Sequence, residues 1–276
     1  MILPTNKLLF YTLRKTILLS LLLLTHVMTY AQGVWNGRKC AVALTYDDAL
    51  QVHLDNVVPV LDSLGLKGTF YLSGYFPGYV NNIARWKSAA DAGHELANHT
   101  LFHPCIGDRP GREWVNPETD LSRYTVKRMT NEMKMTNVLL KTLDGKTART
   151  FAYPCGDTKI GDVDYYKTVA DDFVAARGTT GEMKKIMEIN LADVGSYGIN
   201  GESGEKLIEL VKRAQETNSL LVFLFHGVGG GHSLNVALAE HNKLVRYLEQ
   251  HEADIWIAPF IDIASYVKEY QSKQTK

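Results

Sequence analysis

CAVALTYDD, residues 40–48, joins an apolar run of small and branched side chains to two adjacent carboxylates, Asp47 and Asp48. Such a run predicts a buried strand, inside which an unpaired charge is very unfavourable. The carboxylates are therefore expected at the end of the strand. Because neighbouring side chains of a strand point to opposite faces, they can share one site only if the chain leaves the sheet there. Strand ends are where α/β proteins carry their chemistry.

The rest of the chain alternates short apolar stretches with helical patterns, which is typical of a parallel sheet with helices outside it. Candidate chemical groups follow several different strands. We therefore predict a closed or nearly closed barrel of about seven parallel strands rather than an open sheet, where such groups would cluster at one switch point. The predicted strands are 40–44, 68–72, 94–98, 149–153, 173–177, 220–225 and 255–258, and the predicted helices are 52–64, 83–92, 122–143, 164–171, 205–217, 236–251 and 261–270.

The unbroken alternation of strands and helices predicts a single domain, and the N-terminal residues predict that it is exported. The 276 residues are 45% apolar with zero formal net charge, so no overall basic field predicts nucleic acid as a partner. Basic residues precede a short apolar stretch ending near Ala31, which is typical of a secretory signal peptide. We expect residues 1–31 to be cleaved, leaving 32–276 as one catalytic domain, secreted or periplasmic, without a membrane anchor. A retained anchor is the weaker alternative, because the stretch is shorter than the ~20 residues of a spanning helix.

Residues 100–122 form a long irregular segment rich in proline and glycine, and such loops in compact domains are usually functional. The segment contains Cys105, while Cys155 lies in a later predicted loop and Cys40 in the first strand. Three cysteines are too few for a disulfide scaffold, and an odd number leaves at least one free thiol. The sequence leaves open whether Cys105 pairs with Cys155.

Two histidines four residues apart, His99 and His103, follow the third predicted strand. Both imidazoles of such a pair can reach one ion, although a pair taken alone is more often two surface or core histidines. A carboxylate from another strand end completes an Asp-His-His set whose open positions suit a catalytic zinc. His226 ends the strand 220–225, whereas His53 and His241 fall in predicted amphipathic helices and are expected at the surface.

These motifs together resemble the polysaccharide deacetylase family of carbohydrate esterases, which includes chitooligosaccharide deacetylase-like domains, over residues 39–270. The resemblance implies a distorted (β/α) barrel. It also implies a secreted, metal-dependent hydrolase that removes N- or O-linked acetyl groups from an oligo- or polysaccharide. The family's Thr-Phe-Asp-Asp motif stands here as Thr45–Asp48, its His-Ser/Thr-x-x-His motif as His99–His103, its Arg-x-Pro-Tyr-Gly motif loosely as Ala152–Gly156, and its Leu-x-His motif as Leu224–His226.

The resemblance also implies a role for each matching residue. Asp48, His99 and His103 would bind a divalent metal, for which the ligand types favour Zn²⁺, with Co²⁺ or Ni²⁺ as alternatives. Asp47 would be the general base that takes a proton from the attacking water. His226 would protonate the leaving amine or alkoxide.

Two positions depart from the family pattern. Cys155 replaces a tyrosine, and its backbone N–H would still stabilise the oxyanion, with a nucleophilic thiol as the weaker alternative. Ala152 replaces the arginine that orients the catalytic aspartate. We hypothesise that Arg177, at the end of the strand 173–177, takes over that charge beside Asp47. The alternative is a surface arginine.

Further site residues rest on looser matches. Asp193 would be the partner of His226, and Tyr197 of the same segment would form an aromatic wall. Tyr153-Pro154 of the third motif and Trp114 of the irregular segment are candidate substrate contacts, because aromatic faces suit the C–H surfaces of sugars.

Two other functions remain open. A catalytically impaired carbohydrate-binding protein on the same fold is motivated by Ala152. A metal-dependent amidase acting on a non-sugar acyl group would use the same residues. The sequence also leaves open the sugar polymer, the atom that carries the acetyl group, the metal and the oligomeric state.

Overall fold

The computed structural model describes residues 33–274. The predicted signal peptide, residues 1–31, lies outside the described residues. Within the described part of the chain, no helix is long and apolar enough to cross a membrane. The strands of this part are, in chain order, β1 (Cys40–Asp47), β2 (Thr69–Leu72), β3 (Glu95–Asn98), β4 (Thr150–Ala152), β5 (Lys159–Ile160), β6 (Val163–Asp164), β7 (Ala175–Arg177), β8 (Tyr197–Gly198), β9 (Leu220–Phe225), β10 (Gly227–Val228), β11 (Asn235–Val236) and β12 (Ile255–Ile257).

Strand β1 lies at the centre of the main sheet, and every one of its residues is buried. It pairs with β9 along one side and, on the other, first with β12 and then with β2. The sheet continues from β2 through β3 and β4 to β7, and from β9 to β8, and every pair is parallel. A parallel sheet is covered on both faces, which explains why β1 is a continuous apolar run rather than an alternating one.

The segment 191–198 joins the two edges of this sheet. The Val194 N–H donates to the Ala176 carbonyl, and the Gly178 N–H donates to the Val194 carbonyl, each at 2.8 Å, so the segment lies along β7. A few residues later, the same segment becomes β8 and pairs with β9. The sheet therefore closes as a distorted (β/α) barrel, and the prediction of about seven parallel strands in a barrel is confirmed.

Helices pack outside the barrel and begin and end at residues suited to those positions. The longest, α4 (Val126–Asp144), begins after Thr125, whose hydroxyl accepts a hydrogen bond from the Arg128 N–H at 3.1 Å, and ends at Gly145, whose φ is 71°. The helices are α1 (Val58–Ser63, preceded by a π-helical turn His53–Val57), α2 (Pro77–Val80), α3 (Ile83–Asp91), α4 (Val126–Asp144), α5 (Gly204–Thr217), α6 (Leu238–Gln250) and α7 (Phe260–Gln274).

Several elements differ from the sequence prediction. The expected helix 164–171 is two short 3₁₀ turns, Tyr165–Thr168 and Ala170–Asp172. Tyr165 and Tyr166 are both buried beside Phe151 in a second hydrophobic cluster, so tertiary packing overrides the helical pattern there. Helix α2 and the two-residue strands were not predicted, because elements of two to four residues are too short for a periodic pattern. These strands are β5, β6, β8, β10 and β11.

Candidate active site

Asp47 and Asp48 lie at the C-terminal end of β1, where the chain leaves the sheet. Asp47 is the last residue of the strand, and Asp48 (φ 76°) and Ala49 (φ 52°) both adopt the left-handed conformation. This turn brings both carboxylates to one site. The sequence predicts that they can share a site only where the chain leaves the sheet, as it does here. Left-handed backbone is unfavourable for residues with a side chain, and such strain is concentrated at functional sites.

Asp48, His99 and His103 form a cluster of ligand atoms. Asp48 Oδ1 lies 3.5 Å from His99 Nε2 and 3.4 Å from His103 Nε2, and the three ligand atoms lie within 4.8 Å of one another. Asp48 Oδ1 is buried and has no hydrogen-bond partner among the described residues. A buried oxygen of this kind needs a partner, and one carboxylate with two imidazoles fits a divalent metal ion.

The ring of His99 is oriented by β4. Its Nδ1 lies 2.9 Å from the Ala152 carbonyl oxygen, which can only accept, so Nδ1 carries the proton. The lone pair of Nε2 is therefore directed at Asp48, as in metal sites whose histidines are held by a backbone carbonyl. Burial lowers the pKa of both His99 and His103 to about 4, so both are neutral at pH 7, the form that binds a metal.

A tight turn places His103 next to His99. The Thr100 N–H donates to Asn98 Oδ1 at 2.8 Å, and the His103 N–H donates to the Thr100 hydroxyl at 2.9 Å. Thr100 (φ 64°) and His103 (φ 53°) are both left-handed, which is a turn rather than a helix. The two imidazole centroids are consequently 4.7 Å apart.

Arg177 lies against Asp47. Its Nη2 is 2.6 Å from Asp47 Oδ1 and also contacts Oδ2, and the guanidinium is fully buried over the Tyr71 ring. Ala152 and Arg177 are register partners on neighbouring strands, so the guanidinium enters at the level of the position where the family has its arginine. Burial would raise the pKa of Asp47, but Arg177 and nearby imidazoles outweigh it and lower the pKa to about 2. Asp47 is therefore ionised at neutral pH.

The turn Pro154–Gly156 carries a free backbone donor. Cys155 is left-handed (φ 54°), and its N–H has no hydrogen-bond partner among the described residues. Its thiol forms a disulfide with Cys105, which answers the open question of that pairing and excludes a nucleophilic thiol in this state. Cys40 is the free, buried cysteine.

His226 follows β9 and reaches the same cluster. Its Nε2 lies 3.8 Å from Asp48 Oδ2, and the side chain is 18% exposed. Its carbonyl oxygen lies 2.7 Å from His53 Nε2, and its ring stacks on that of His232 at a centroid distance of 4.8 Å. The imidazole therefore has one edge at the site and another within reach of solvent.

Residues 36–170, just under half of the chain, match the family model described as polysaccharide deacetylase. The chain contains a polysaccharide deacetylase domain. The matched range includes both carboxylates and both clustered histidines, whereas Arg177 and His226 follow it. The deacetylase domain thus belongs to a family of hydrolases that act on carbohydrates.

Solved structures share the fold of the deacetylase domain. A protein assigned as a polysaccharide deacetylase from Mycobacterium smegmatis has a TM-score of 0.58 at 16% identity, covering 85% of this chain and 92% of its own. A family 4 carbohydrate esterase from Streptomyces lividans, in complex with acetate, has a TM-score of 0.51 at 19% identity, with coverages of 80% and 92%. A BA3943 mutant, a CE4 family pseudoenzyme with restored enzymatic activity, has a TM-score of 0.53 at 16% identity, with coverages of 81% and 67%.

A gellan lyase from a Bacillus species is 25% identical over 189 residues, which is 68% of this chain but only 6% of the lyase. The deacetylase domain therefore spans a small part of that relative's length. Neither this relative nor the solved structures, whose low identities show the fold alone, identify the substrate of this domain. The substrate class has to be inferred from the chemistry of the site.

Several residues predicted for the site lie elsewhere in the deacetylase domain. Asp193 is exposed, with Glu182 and Lys184 as its charged neighbours, and no described contact joins it to His226. Tyr197 is directed at helix α5, where Arg213 contacts its hydroxyl and lies over its ring, so it forms no wall of the cluster.

The third motif is also more structural than predicted. Tyr153 is 4% exposed, packs among the rings of the second hydrophobic cluster, and donates from its hydroxyl to the Ala192 carbonyl at 2.7 Å. Pro154 is buried beside it. These positions leave little surface for substrate, whereas Trp114 is 63% exposed in the irregular segment and is free to make such a contact.

His53 and His241 are buried rather than at the surface, so those predictions are wrong. The signal was present in the helical spacing: His53 shares a stripe with Val57 and Leu61, both fully buried, and His241 precedes the buried pair Leu244 and Val245 by three and four residues. Position in the helical stripe, rather than residue type, decides the burial of both side chains. The missed histidine matters for the site, because His53 holds the carbonyl of His226.

Proposed function

We propose that the domain is a metal-dependent hydrolase that removes acetyl groups, linked through nitrogen or oxygen, from an oligo- or polysaccharide. The observation that carries the proposal is the buried Asp48 Oδ1, which faces two imidazole Nε2 atoms and has no hydrogen-bond partner among the described residues. Asp48, His99 and His103 would hold the metal, and their ligand types favour Zn²⁺ over Co²⁺ or Ni²⁺. When bound, such an ion supplies Lewis acidity that lowers the pKa of water and polarises a carbonyl.

The protein's own groups would carry the proton and charge transfers. Asp47, kept ionised by Arg177, would accept a proton from the attacking water as a bond forms between the water oxygen and the acetyl carbon. The Cys155 N–H would donate a hydrogen bond to the oxyanion. His226 would give a proton to the leaving nitrogen or oxygen as its bond to the acetyl carbon breaks. The products are acetate and the free amine or hydroxyl.

We propose further that residues 1–31 are a signal peptide and that 32–276 form one catalytic domain, secreted or periplasmic, without a membrane anchor. The disulfide between Cys105 and Cys155 supports an oxidising compartment, because cytosolic proteins rarely keep such bonds. Microsequencing of the exported protein tests the cleavage site, for which we expect Gln32 as the first residue.

Acetate release measures the proposed activity. The protein is treated with a chelator, dialysed, and assayed with and without Zn²⁺ on acetylated xylan, chitooligosaccharides and peptidoglycan fragments. We expect release from at least one of them, abolished by chelation and restored by the metal. Bound zinc without turnover on any of the three would instead support the carbohydrate-binding alternative.

The carbohydrate-binding alternative is motivated by Ala152, which stands where the family has an arginine. Arg177 contacts Asp47 from the neighbouring strand, so a guanidinium is still present beside this carboxylate and the argument for the alternative is weaker. The amidase alternative uses the same residues and is separated by substrate: turnover of non-sugar acyl amides, with no acetate from acetylated sugars, would favour it.

A further inference from the structure

The imidazole of His226 has no hydrogen bond that fixes its orientation. Its Nε2 lies 3.8 Å from Asp48 Oδ2, which is beyond hydrogen-bonding distance, and no described residue forms a hydrogen bond with either ring nitrogen. Asp193, the partner that the resemblance implies, makes no described contact with this ring. A general acid has to hold its proton in line with the leaving atom, so the ring needs another contact that restricts its rotation.

The backbone around His226, in contrast, is held by the π-helical turn His53–Val57. His53 Nε2 lies 2.7 Å from the His226 carbonyl oxygen, and Asn56 Nδ2 donates to the Val228 carbonyl at 2.7 Å. These bonds fix the point from which the side chain of His226 leaves the backbone. They do not restrict rotation about its side-chain bonds.

The ring of His232 covers one face of the His226 ring. The two centroids are 4.8 Å apart and the ring planes are inclined by only 18°, which is a stacked arrangement. His232 is partly buried, and its Nδ1 accepts a hydrogen bond from the Leu234 N–H at 3.0 Å, so the ring is neutral and carries its proton on Nε2. A neutral imidazole can stack on both the neutral and the protonated form of His226.

The glycine-rich loop after β10 holds His232 in this position. The Gly230 N–H donates to Asn235 Oδ1 at 2.8 Å, which ties the two sides of the loop together. Gly231 has a φ of 84°, and a Cβ at this position would lie 2.8 Å from a methyl group of Val52, so the close approach requires glycine. The loop is therefore a packed turn whose shape directs the ring of His232 at the site.

We propose that His232 is a positioning residue whose stacked ring fixes the orientation of His226, the group that gives a proton to the leaving nitrogen or oxygen. The proposal rests on the proposed deacetylase function and deepens it. His232 takes the place of the carboxylate partner that Asp193 does not supply. Loss of the stack therefore slows only those reactions in which the leaving group needs a proton.

His232→Ala removes the stack, His232→Phe keeps an aromatic face, and His251→Ala is the matched control. His251 is also partly buried and stacked, on Tyr247 at a centroid distance of 4.0 Å, but it lies at the end of helix α6. For each protein, kcat and KM are measured with two substrates. One is the acetylated sugar on which the wild type is most active, and the other is 4-nitrophenyl acetate, whose phenolate leaves without a proton.

We expect kcat for the sugar to fall about three- to tenfold in His232→Ala, as for one lost aromatic pair, with little change in KM. The kcat for 4-nitrophenyl acetate should stay constant. His232→Phe should recover most of the loss, and His251→Ala should show none.

A double-mutant cycle with His226→Ala separates positioning from direct contact with the substrate. If His232 acts through His226, His232→Ala has no further effect on kcat for the sugar once His226 is replaced. Three outcomes would overturn the proposal: a further loss in the double variant, an equal fall for both substrates in His232→Ala, or no fall with the sugar.

If the wild-type protein releases acetate from no acetylated sugar, the proposed function fails. The orientation of His226 is then judged by NMR of isotope-labelled histidine side chains, with His226→Ala used to assign the signals. Three-bond couplings that report a single rotamer in the wild type and averaged rotamers in His232→Ala support the positioning role. Averaged couplings already in the wild type, or the same couplings in both proteins, overturn it.

Discussion

At the scale of single residues, the site depends on backbone conformations that the sequence does not display. Asparagine adopts the left-handed conformation readily, and two asparagines do so away from the site, Asn36 and Asn218. The five other residues with a side chain and this conformation in the described chain all lie at the site, and each stores on the order of 1–3 kcal/mol of strain. They are Asp48, Ala49, Thr100, His103 and Cys155.

Asp48 and Asp47 should separate metal binding from turnover. Asp48→Ala removes the buried oxygen that faces both imidazoles, so we expect metal content to fall from about one ion per chain to near zero. Asp47→Asn keeps the cluster and removes the proton acceptor, so metal content should persist while kcat falls at least about a hundredfold. Elemental analysis of the purified variants gives the metal content, and loss of metal from both would sink the division of roles.

Arg177 and Ala152 offer a test of charge position. Arg177→Ala leaves Asp47 as a buried, unpaired carboxylate, so we expect a loss of about 3–5 kcal/mol in the free energy of unfolding and a large fall in kcat. Because the two positions are register partners, adding Ala152→Arg should return a guanidinium to Asp47 and recover part of both. Denaturant unfolding and acetate release are measured on the single and double variants. A double variant no better than Arg177→Ala would show that position 152 cannot supply the charge.

At the scale of elements, the long irregular segment holds the turn Pro154–Gly156 in place. Besides the disulfide, Arg112 Nη2 donates to the Cys155 carbonyl at 3.0 Å, and Arg112 also contacts the buried carboxylate of Asp157. Asp157 accepts a further bond from the Ile106 N–H at 2.8 Å. These contacts occupy the carbonyl side of Cys155 and leave its N–H free. The sequence predicts that the irregular segment 100–122 is functional. Its contacts show that it orients the peptide group of Cys155.

Arg112→Gln should therefore reduce kcat about tenfold while changing KM little, because a displaced oxyanion donor weakens the transition state more than the bound substrate. Arg109→Gln is the control: Arg109 also pairs with Asp157, at 2.8 Å, but does not reach Cys155 and is half exposed. Steady-state kinetics of both variants measure the effect on the position of the Cys155 N–H, and thermal unfolding measures the effect on the stability of the loop. Equal kinetic losses in the two would favour a general role of the ion pairs.

At the scale of the whole molecule, the barrel and most of the cluster could be predicted because their signals are local. A fully buried parallel strand must be a continuous apolar run, and a charge at its end marks the edge of the sheet. The closure through Val194 could not be predicted, because it is made by two bonds to β7 and a strand of two residues. Asp47 and Arg177 are 130 residues apart in the sequence. Their contact could be predicted only by assuming that the strands which end at these residues lie close together.

The buried histidines make the stability of the whole barrel depend on pH. His241 joins helix α6 to β1 through a 2.8 Å hydrogen bond between its Nε2 and the Tyr46 hydroxyl, and burial lowers its pKa from 6.5 to about 4. Above pH 6.5, His241 is neutral in both the folded and unfolded chains, so its contribution is fully present. As pH falls from 6.5 towards 4, the unfolded chain takes up a proton that the folded one resists, so the free energy of unfolding decreases.

For His241 alone, the expected decrease between pH 7 and pH 5 is about 2 kcal/mol. The glutamine of His241→Gln can keep a hydrogen bond to Tyr46 but does not titrate. Between pH 7 and pH 5, the free energy of unfolding of this variant should therefore fall by about 2 kcal/mol less than that of the wild type. Denaturant unfolding curves of the wild type and the variant at both pH values measure the difference, and the contribution of every other titrating group cancels in the comparison. Parallel pH profiles would mean that His241 is protonated as easily in the fold as in the unfolded chain, which the burial of its ring between α6 and β1 opposes.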